Sequence, residues 1–385
     1  MEKRLLQTLP SLSGEPECYL VYDAAVEAFA ARLLSGGAFR GSLALEVSEP
    51  AKTMDSVLTV CRFLLEAGAT RKALVVALGG GTLTDMAGFA ASIYKRGVRY
   101  ANIPTTLLAQ VDAGIGGKTG VNLDGYKNML GVIRQPEWVW LCPEVLSTLP
   151  LREFRCGVAE LLKTFLLSDA SLYADAVRFF SGLSSKKAFS EDKSMVLAGL
   201  SSKTGVFEDR LRDLIARAAE IKEGIVERDL YETGERRKLN LGHTFAHAIE
   251  HEALRRGDDI RHGEAVAMGV VLAARLSEAL GEDSTDKPWN DAASTRGMSA
   301  PSPHGLSTPS PHGLSVGSAS LAGRLAADFA ACGLPVDCPY PIASLVDAMH
   351  RDKKGETEGV RFILLRRVGE TEERVLRPEV LLELL

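Results

Sequence analysis

The sequence predicts an α/β unit with a parallel sheet over residues 1–150, followed by an all-helical unit over residues 151–385. Three observations carry this reading. Before residue 150, short apolar runs alternate with amphipathic stretches, the order that builds a parallel sheet. After Pro150, apolar positions recur at helical spacing through long segments. Between 281 and 318 both patterns stop, and the segment is rich in Ser, Pro, Gly and Asp.

Taken in order, 43–47 reads as a short strand and 54–67 as an amphipathic helix. Residues 73–78 (ALVVAL) form the unbroken apolar run that a strand buried on both faces requires, and Gly79-Gly80-Gly81 ends it. A helix follows over 85–95. The second half carries helices over 157–167, 209–228, 241–253 and 264–280. Its longest apolar run, 265–274, is too short to span a bilayer and reads as buried helix. A ligand site is expected in the cleft between the two units.

Segment 281–318 contains an eight-residue tandem repeat, APSPHGLS at 300–307 and TPSPHGLS at 308–315. Two such copies cannot build a solenoid core, and their composition cannot offset the entropy cost of ordering. The segment therefore reads as a disordered surface insert. His304 and His312 would need further ligands to hold a metal.

Composition narrows the function classes. Hydrophobic residues make up 46% and charged residues 25%, as in a globular enzyme. A net charge of −5 argues against a general nucleic-acid surface. The opening residues MEKRLLQTLPSLSG lack the apolar stretch of a signal peptide. Six cysteines, at 18, 61, 142, 156, 332 and 338, show no CxxC spacing and read as free thiols. The expectation is a cytoplasmic protein with neither a membrane nor a nucleic acid as partner.

Several residues have the makings of chemistry. Gly79-Gly80-Gly81 lies between a strand and a helix, where backbone N–H groups approach a pyrophosphate. A tight turn explains it equally, because Thr84 stands where the dinucleotide fingerprint needs a third glycine. Gly114-Ile115-Gly116-Gly117-Lys118-Thr119 is half of a phosphate-binding P-loop, but Asp112 replaces its first glycine, which rejects that reading. His243 and His247 are four apart and share a helix face, as do Glu160 and Lys163 at a spacing of three. With His262 at the start of the next helix, a Glu plus two His makes a catalytic zinc set with one position open. Arg96, Lys118, Lys127, Lys163, Lys222, Arg236, Lys353 and Lys354 cluster in sequence around these segments. They suit an anionic substrate bearing phosphate and carboxylate.

Together these segments resemble the 3-dehydroquinate synthase family of sugar-phosphate cyclases. The stretches are ALGGGTLTDMAGFAASIYKRG (77–97), IPTTLLAQVDAGIGGKTGVNLDGYKNMLG (103–131), AELLK (159–163), RRKLNLGHTFAHAIEH (236–251), HGEAVAMG (262–269) and DKKG (352–355). The resemblance runs from about 49 to 365. It implies a dehydroquinate synthase-like fold with a nucleotide-binding first domain and a metal- and substrate-binding second one. It implies a divalent metal, zinc or alternatively cobalt, on Glu160, His243 and His262. NAD would lie against Gly80, Gly81, Asp85, Thr105, Thr106 and Lys127, with Glu49 and Lys52 at the adenosine end and Asp23 nearby. Substrate would meet Asp112, Lys118, Asn128, Lys163, Lys222, Arg236, Asn240, His247 and Lys353. The family places the counterpart of Arg96 in the neighbouring subunit's site, which implies a homodimer.

The implied reaction converts 3-deoxy-D-arabino-heptulosonate 7-phosphate to 3-dehydroquinate and phosphate. It proceeds by transient oxidation, phosphate elimination, re-reduction and aldol closure. Asp112 and His247 are the expected proton-handling groups; Lys118, Asn128 and Lys222 are the expected phosphate or hydroxyl holders. Arg236, Asn240 and Lys353 fit a substrate carboxylate, which favours this reaction over that of another cyclase or a metal-dependent polyol dehydrogenase. Two departures from the family pattern bear on cofactor grip: Leu83-Thr84-Asp85 after the glycines, and Tyr22-Asp23-Ala24-Ala25, where Ala25 cannot bond a ribose.

Overall fold

The computed structural model describes residues 4–12, 14–15, 17–124, 126–184, 206–281, 320–352 and 359–385. Lys353, Lys354, His304, His312 and segment 282–319, with the expectation of a disordered insert, lie outside the described residues.

The strands of the first half are β1 (Leu5–Leu6), β2 (Cys18–Asp23), β3 (Gly41–Leu45), β4 (Leu74–Gly79), β5 (Arg99–Pro104), β6 (Lys118–Leu123), β7 (Tyr126–Ile133) and β8 (Val139–Trp140). Six form one sheet in the order β1-β8-β5-β4-β2-β3, and every pairing in it is parallel. β6 and β7 form a separate antiparallel hairpin.

The sheet is covered on both faces, which explains the unbroken apolar run of β4. Val75 packs with Tyr19, Val21 and Tyr100 against Val57, Val60 and Leu64 of α2 (Met54–Glu66) and Leu83, Met86 and Ala90 of α3 (Gly81–Ile93). Leu74, Val76 and Leu78 point to the other side, among Leu20, Ala101 and Ile103 and against Phe29 and Leu33 of α1 (Glu27–Leu34). Burying each such side chain contributes about 1.5–3 kcal/mol. A charge at Val76 would break this layer.

α3 begins four residues before the expected 85. Gly80 serves as its cap without a side-chain bond, and a Cβ on Gly81 would sit 2.8 Å from Ala113 Cβ. The chain thus turns straight from strand to helix. Glycine's weak helix propensity hid that start in the sequence.

The second half holds α4 (Leu151–Leu166), α5 (Ala170–Ser184), α6 (Val206–Arg228), α7 (His243–Arg256), α8 (His262–Ala279), α9 (Leu321–Ala331), α10 (Ile342–Asp352) and α11 (Leu381–Leu384). All of residues 265–274 in α8 are buried, as the apolar run implied. The ends flanking segment 282–319 are tied together: the Ala322 N–H donates to Glu278 Oε1 at 2.9 Å.

The expectation of an all-helical second half needs one correction. β9 (Val360–Arg367) and β10 (Glu370–Leu376) form an antiparallel ribbon turned at Gly369, whose φ is +85°. β9 packs into the helical core, with the Phe362 and Phe245 rings 5.4 Å apart and Thr244 Oγ1 donating to the Arg361 carbonyl at 2.7 Å. Burial of Val360, Phe362, Ile363, Leu364 and Leu365 erased the period-two signal that would have marked a strand.

Candidate active site

Three helix segments bring one polar cluster together. Glu160 and Lys163 lie one turn apart on α4, while His243 and His262 are the first residues of α7 and α8. Close backbone approach makes this possible. A Cβ on Gly242 (φ +77°) would lie 2.7 Å from Val270 N, and one on Gly263 would lie 2.3 Å from Cys156 Cα. α7, α8 and α4 therefore meet through glycines where the ligand-bearing residues start.

Each of Glu160, His243 and His262 offers one donor atom, and these atoms lie within 4.8 Å of one another. His243 Nε2 and His262 Nε2 stand 3.5 and 3.3 Å from Glu160 Oε1. Both ring Nδ1 atoms face acceptors: the Leu241 carbonyl for His243 and Glu250 Oε1 for His262, each at 3.3 Å. This assigns the proton to Nδ1 in the neutral rings and leaves both Nε2 lone pairs facing Glu160.

The charge balance fits a cation. Glu160 is fully buried; Lys163 Nζ pairs with Oε2 at 2.6 Å, and Oε1 faces only the two ring nitrogens. Burial alone would raise the Glu160 carboxyl, but Lys163 and then the two histidines hold it well below its ordinary value. Burial lowers Lys163, yet Glu160 and Asp112 outweigh that and keep it cationic. Burial first, and then the Lys163 charge, push His243 down to about 3, so it is the neutral, ligating form. His262 is pushed the other way, to about 10: burial opposes protonation, but Glu160 and Glu250 outweigh it. Its side chain is 34% exposed, so solvent screens part of that rise. A cation among these atoms would take the place of that proton. A buried carboxylate beside two imidazoles matches what zinc prefers.

A second cluster joins the two halves beside the first. A π-helical turn over Ala109–Ala113 carries Asp112, and Gln110 anchors it by donating to the Pro104 and Cys142 carbonyls at 3.1 and 2.9 Å. Lys222 of α6 donates to both Asp112 Oδ1 and the Asp112 carbonyl, at 2.6 and 2.7 Å. Burial would raise Asp112, but Lys222 and Lys163 bring it below its usual value, so it stays ionised. Lys118 pairs with Glu232, whose Oε1 accepts from Asn240 Nδ2 at 2.5 Å. Arg236 is buried, with Nη1 on the Leu230 carbonyl at 2.6 Å and Nη2 on the Gly116 carbonyl at 2.9 Å. His247 lies exposed on α7, its ring 5.7 Å from that of His243.

The nucleotide candidates gather at the C-terminal ends of β4 and β5. Gly80 and Gly81 open α3 with no side-chain cap, so its first N–H groups are available to an anion. A Cβ on Gly80 would come within 3.0 Å of Thr106 Cγ2, so a side chain here would crowd this approach. Thr84 turns its hydroxyl back onto the Gly81 carbonyl at 3.0 Å, away from that opening. Thr105 is buried and Thr106 Oγ1 accepts from the Ala109 N–H at 3.1 Å. Glu49 accepts from Thr82 and Asn122, at 3.3 and 2.9 Å. Asp23 caps its own turn through the Ala25 N–H at 3.0 Å.

Lys52 links two groups of candidates. It is buried and donates at 2.6 Å to both Asp85 Oδ2 and Asn128 Oδ1, so it links a nucleotide candidate to a substrate candidate. Burial pushes the Asp85 carboxyl up to about 6, against the pull of Lys52. Lys127 reaches Glu250 Oε1 at 2.9 Å. Arg96 is exposed in a left-handed turn (φ +67°) and has no ion-pair or hydrogen-bond partner among the described residues.

Three participants escaped the sequence reading: Glu232, Asn122 and Glu250. Glu250 had a signal, because it lies seven residues after His243 and so on the same helix face. Glu232 had none; it sits in a turn at φ +59°. His251, two turns after His243 on the same helix, is half-buried with Nδ1 enclosed.

Comparison with known proteins settles the family. Residues 42–156 match the family described as 3-dehydroquinate synthase N-terminal, and residues 157–295 match 3-dehydroquinate synthase C-terminal. The chain belongs to the 3-dehydroquinate synthase family. The 3-dehydroquinate synthase of Paracoccus denitrificans is 38% identical over 328 residues, spanning 85% of this chain and 76% of its own. That of Acidithiobacillus ferrooxidans is 39% identical over 329 residues, covering 85% of this chain and 75% of its own. Among solved structures, 2-epi-5-epi-valiolone synthase from Streptomyces hygroscopicus, with NAD+ and Zn2+ bound, superposes with a TM-score of 0.71. It is 26% identical, and the alignment covers 97% of this chain and 92% of that one. The fold is thus that of the 3-dehydroquinate synthase family. No helix among the described residues is long and apolar enough to cross a membrane.

Proposed function

We propose that the protein converts 3-deoxy-D-arabino-heptulosonate 7-phosphate to 3-dehydroquinate and phosphate, with NAD and zinc as resident groups. The observation that carries this reading is the convergence of Glu160, His243 and His262 beside Lys163 and the Asp112–Lys222 pair, in a chain of this family. We place the division of labour near residue 150, with the cofactor on the sheet half and metal and substrate on the helical half. A homodimer, with Arg96 reaching the neighbouring site, and a cytoplasmic location belong to the same reading.

Glu160, His243 and His262 would hold the metal and leave a position open for substrate oxygen. Gly80, Gly81, Asp85, Thr105, Thr106 and Lys127 would hold the dinucleotide, with Asp23, Glu49 and Lys52 at its flank. When bound, the dinucleotide supplies a hydride acceptor that is restored in the same turnover, and the metal supplies Lewis acidity at a substrate oxygen.

The remaining steps fall to the chain's own groups. Asp112, kept ionised by Lys222, is a proton acceptor and not a donor. His247, exposed beside His243, can pass a proton between the cluster and solvent. Lys163, buried and cationic, steadies negative charge that develops next to the ligands. Lys118 is 55% exposed and can leave Glu232 for a phosphate oxygen, with Asn128 and Lys222 as further holders. Arg236 spends one N–H of each terminal nitrogen on a main-chain carbonyl, which fixes its plane; its other N–H groups, with Asn240 and Lys353, would meet the substrate carboxylate.

The test is direct. The full chain, given heptulosonate phosphate, zinc and a trace of NAD, should release phosphate and dehydroquinate in equal amounts without accumulating NADH. NADH in proportion to product would make it a polyol dehydrogenase. Phosphate release only from sugar phosphates that lack the carboxylate would make it a different cyclase.

A further inference from the structure

The two histidines of the metal cluster are held in different ways. His243 Nδ1 faces a main-chain carbonyl, that of Leu241, two residues before it. That acceptor moves only if the backbone moves. His262 Nδ1 faces Glu250 Oε1 at 3.3 Å, and the same oxygen accepts from Lys127 Nζ at 2.9 Å. One oxygen thus serves two donors from opposite halves of the molecule: His262 from α8, and Lys127 from the β7 strand of the hairpin.

The two donors differ in freedom. Glu250 is 11% exposed on a helix whose neighbours Ala248 and Ile249 are buried, so it is fixed. Lys127 is 51% exposed on a long flexible stem, so an anion arriving in the cleft can draw it away. When Lys127 leaves, Oε1 is left to the His262 N–H alone. A carboxylate bound to the far nitrogen of an imidazole makes the near nitrogen a better electron-pair donor and locks the ring.

We propose that Glu250 is a positioning residue that sets the metal affinity of His262 and couples it to the dinucleotide through Lys127. This rests on the reading above, in which His262 holds the metal and Lys127 meets NAD. NAD then tightens zinc by releasing Glu250 to His262, and zinc tightens NAD by the same factor. His243, with its main-chain partner, contributes a fixed share that the dinucleotide does not alter.

The test measures zinc affinity by competition with a chromogenic chelator, with and without saturating NAD, on the full chain. Wild type should bind zinc several-fold more tightly with NAD present. Glu250→Gln, nearly isosteric, should weaken zinc about 10–100-fold and remove the NAD effect. Lys127→Met should bind zinc as tightly without NAD as wild type does with it, and should show no further gain. Circular dichroism and melting establish that the variants are folded, and the exposed Lys127 change guards against misfolding of the buried one. A merely structural Glu250 would leave the NAD dependence of zinc affinity intact. Zinc affinity unchanged in Glu250→Gln, or an NAD effect that survives in Lys127→Met, overturns the proposal alone. A wild-type chain that binds neither zinc nor NAD overturns it together with the functional reading on which it rests.

Discussion

At the metal end of the cleft, the buried Glu160 carboxylate has Lys163 at 2.6 Å on one oxygen and only the two histidine rings, at 3.3 and 3.5 Å, facing the other, while at the nucleotide end Glu49, Lys52, Asp85, Asn128 and Asp23 have close partners. Leaving a buried polar group unpaired costs about 1–3 kcal/mol. The metal end meets that cost in part, through Lys163 on Oε2, so a cation enters a site whose geometry is set and whose Oε1 still lacks a close partner. The nucleotide end carries no such debt. There a ligand adds to an uncapped helix start and rearranges bonds that are already made. Removing the anionic ligand at the first kind of site should abolish binding, whereas removing one partner at the second should only weaken it.

The largest effect should come from Glu160→Gln. Removing the only anionic ligand should abolish stoichiometric zinc binding and lower turnover by about three orders of magnitude or more, since a Lewis-acid contribution of several kcal/mol is lost. Metal analysis together with steady-state rates checks this. A variant that keeps its zinc would place the cation elsewhere. Next in size is ligand stabilisation. Zinc at a hundredfold excess over its Kd should stabilise the wild type by about 2.7 kcal/mol, seen as a higher Tm, and should leave Glu160→Gln unmoved. An equal shift in both chains would erase the contrast between the two ends.

Lys52→Met probes the other end. It removes the donor shared by Asp85 and Asn128 and should weaken NAD about tenfold while zinc affinity stays within twofold; a charged hydrogen bond is worth about 1.5–3 kcal/mol. Titration calorimetry with each ligand alone separates the outcomes, and a loss of zinc affinity in the absence of NAD would show that Lys52 also supports the metal end. The smallest effect lies in pH. Asp85 has its proton held more tightly in the fold than its ordinary value of 3.8, up to about 6. Its contribution to stability is therefore complete below about pH 3.8 and is lost as pH rises through about 6. Carbon-detected NMR of the labelled carboxyl should show a midpoint near 6, moving higher in Lys52→Met, where the lowering partner is gone. A midpoint near 4 would mean the burial penalty is relieved by solvent.

What could be read in advance divides along the same lines. β4 was legible because a strand covered on both faces must be apolar throughout, and 73–78 is. The metal set was legible because its spacing within α4 and its positions at helix starts are local features. β9 was not, since packing on both of its sides hides the alternation that marks a strand. Arg236 shows the limit for side chains. Its sequence context suggested a fork free for a carboxylate, yet which acceptor a guanidinium meets depends on Gly116, 120 residues away. Glu250 lies between these cases: its helix face was readable from His243, but its link to Lys127, 123 residues distant, was not.

The bond from the Ala322 N–H to Glu278 has a use for protein engineering. The chain departs from the end of α8 and returns to the start of α9 within one hydrogen bond, at 2.9 Å. The span between those points can then be shortened or exchanged without pulling the two helices apart, because loop length is a weak term, about 0.6 kcal/mol per doubling. Trading 284–316 for a few Gly and Ser residues should move Tm and turnover very little, which melting and rate measurements will show. By the same geometry the position is a splice point. A fluorescent protein or a peptide tag whose own ends lie close together could be carried there, leaving the two chain ends free for other fusions.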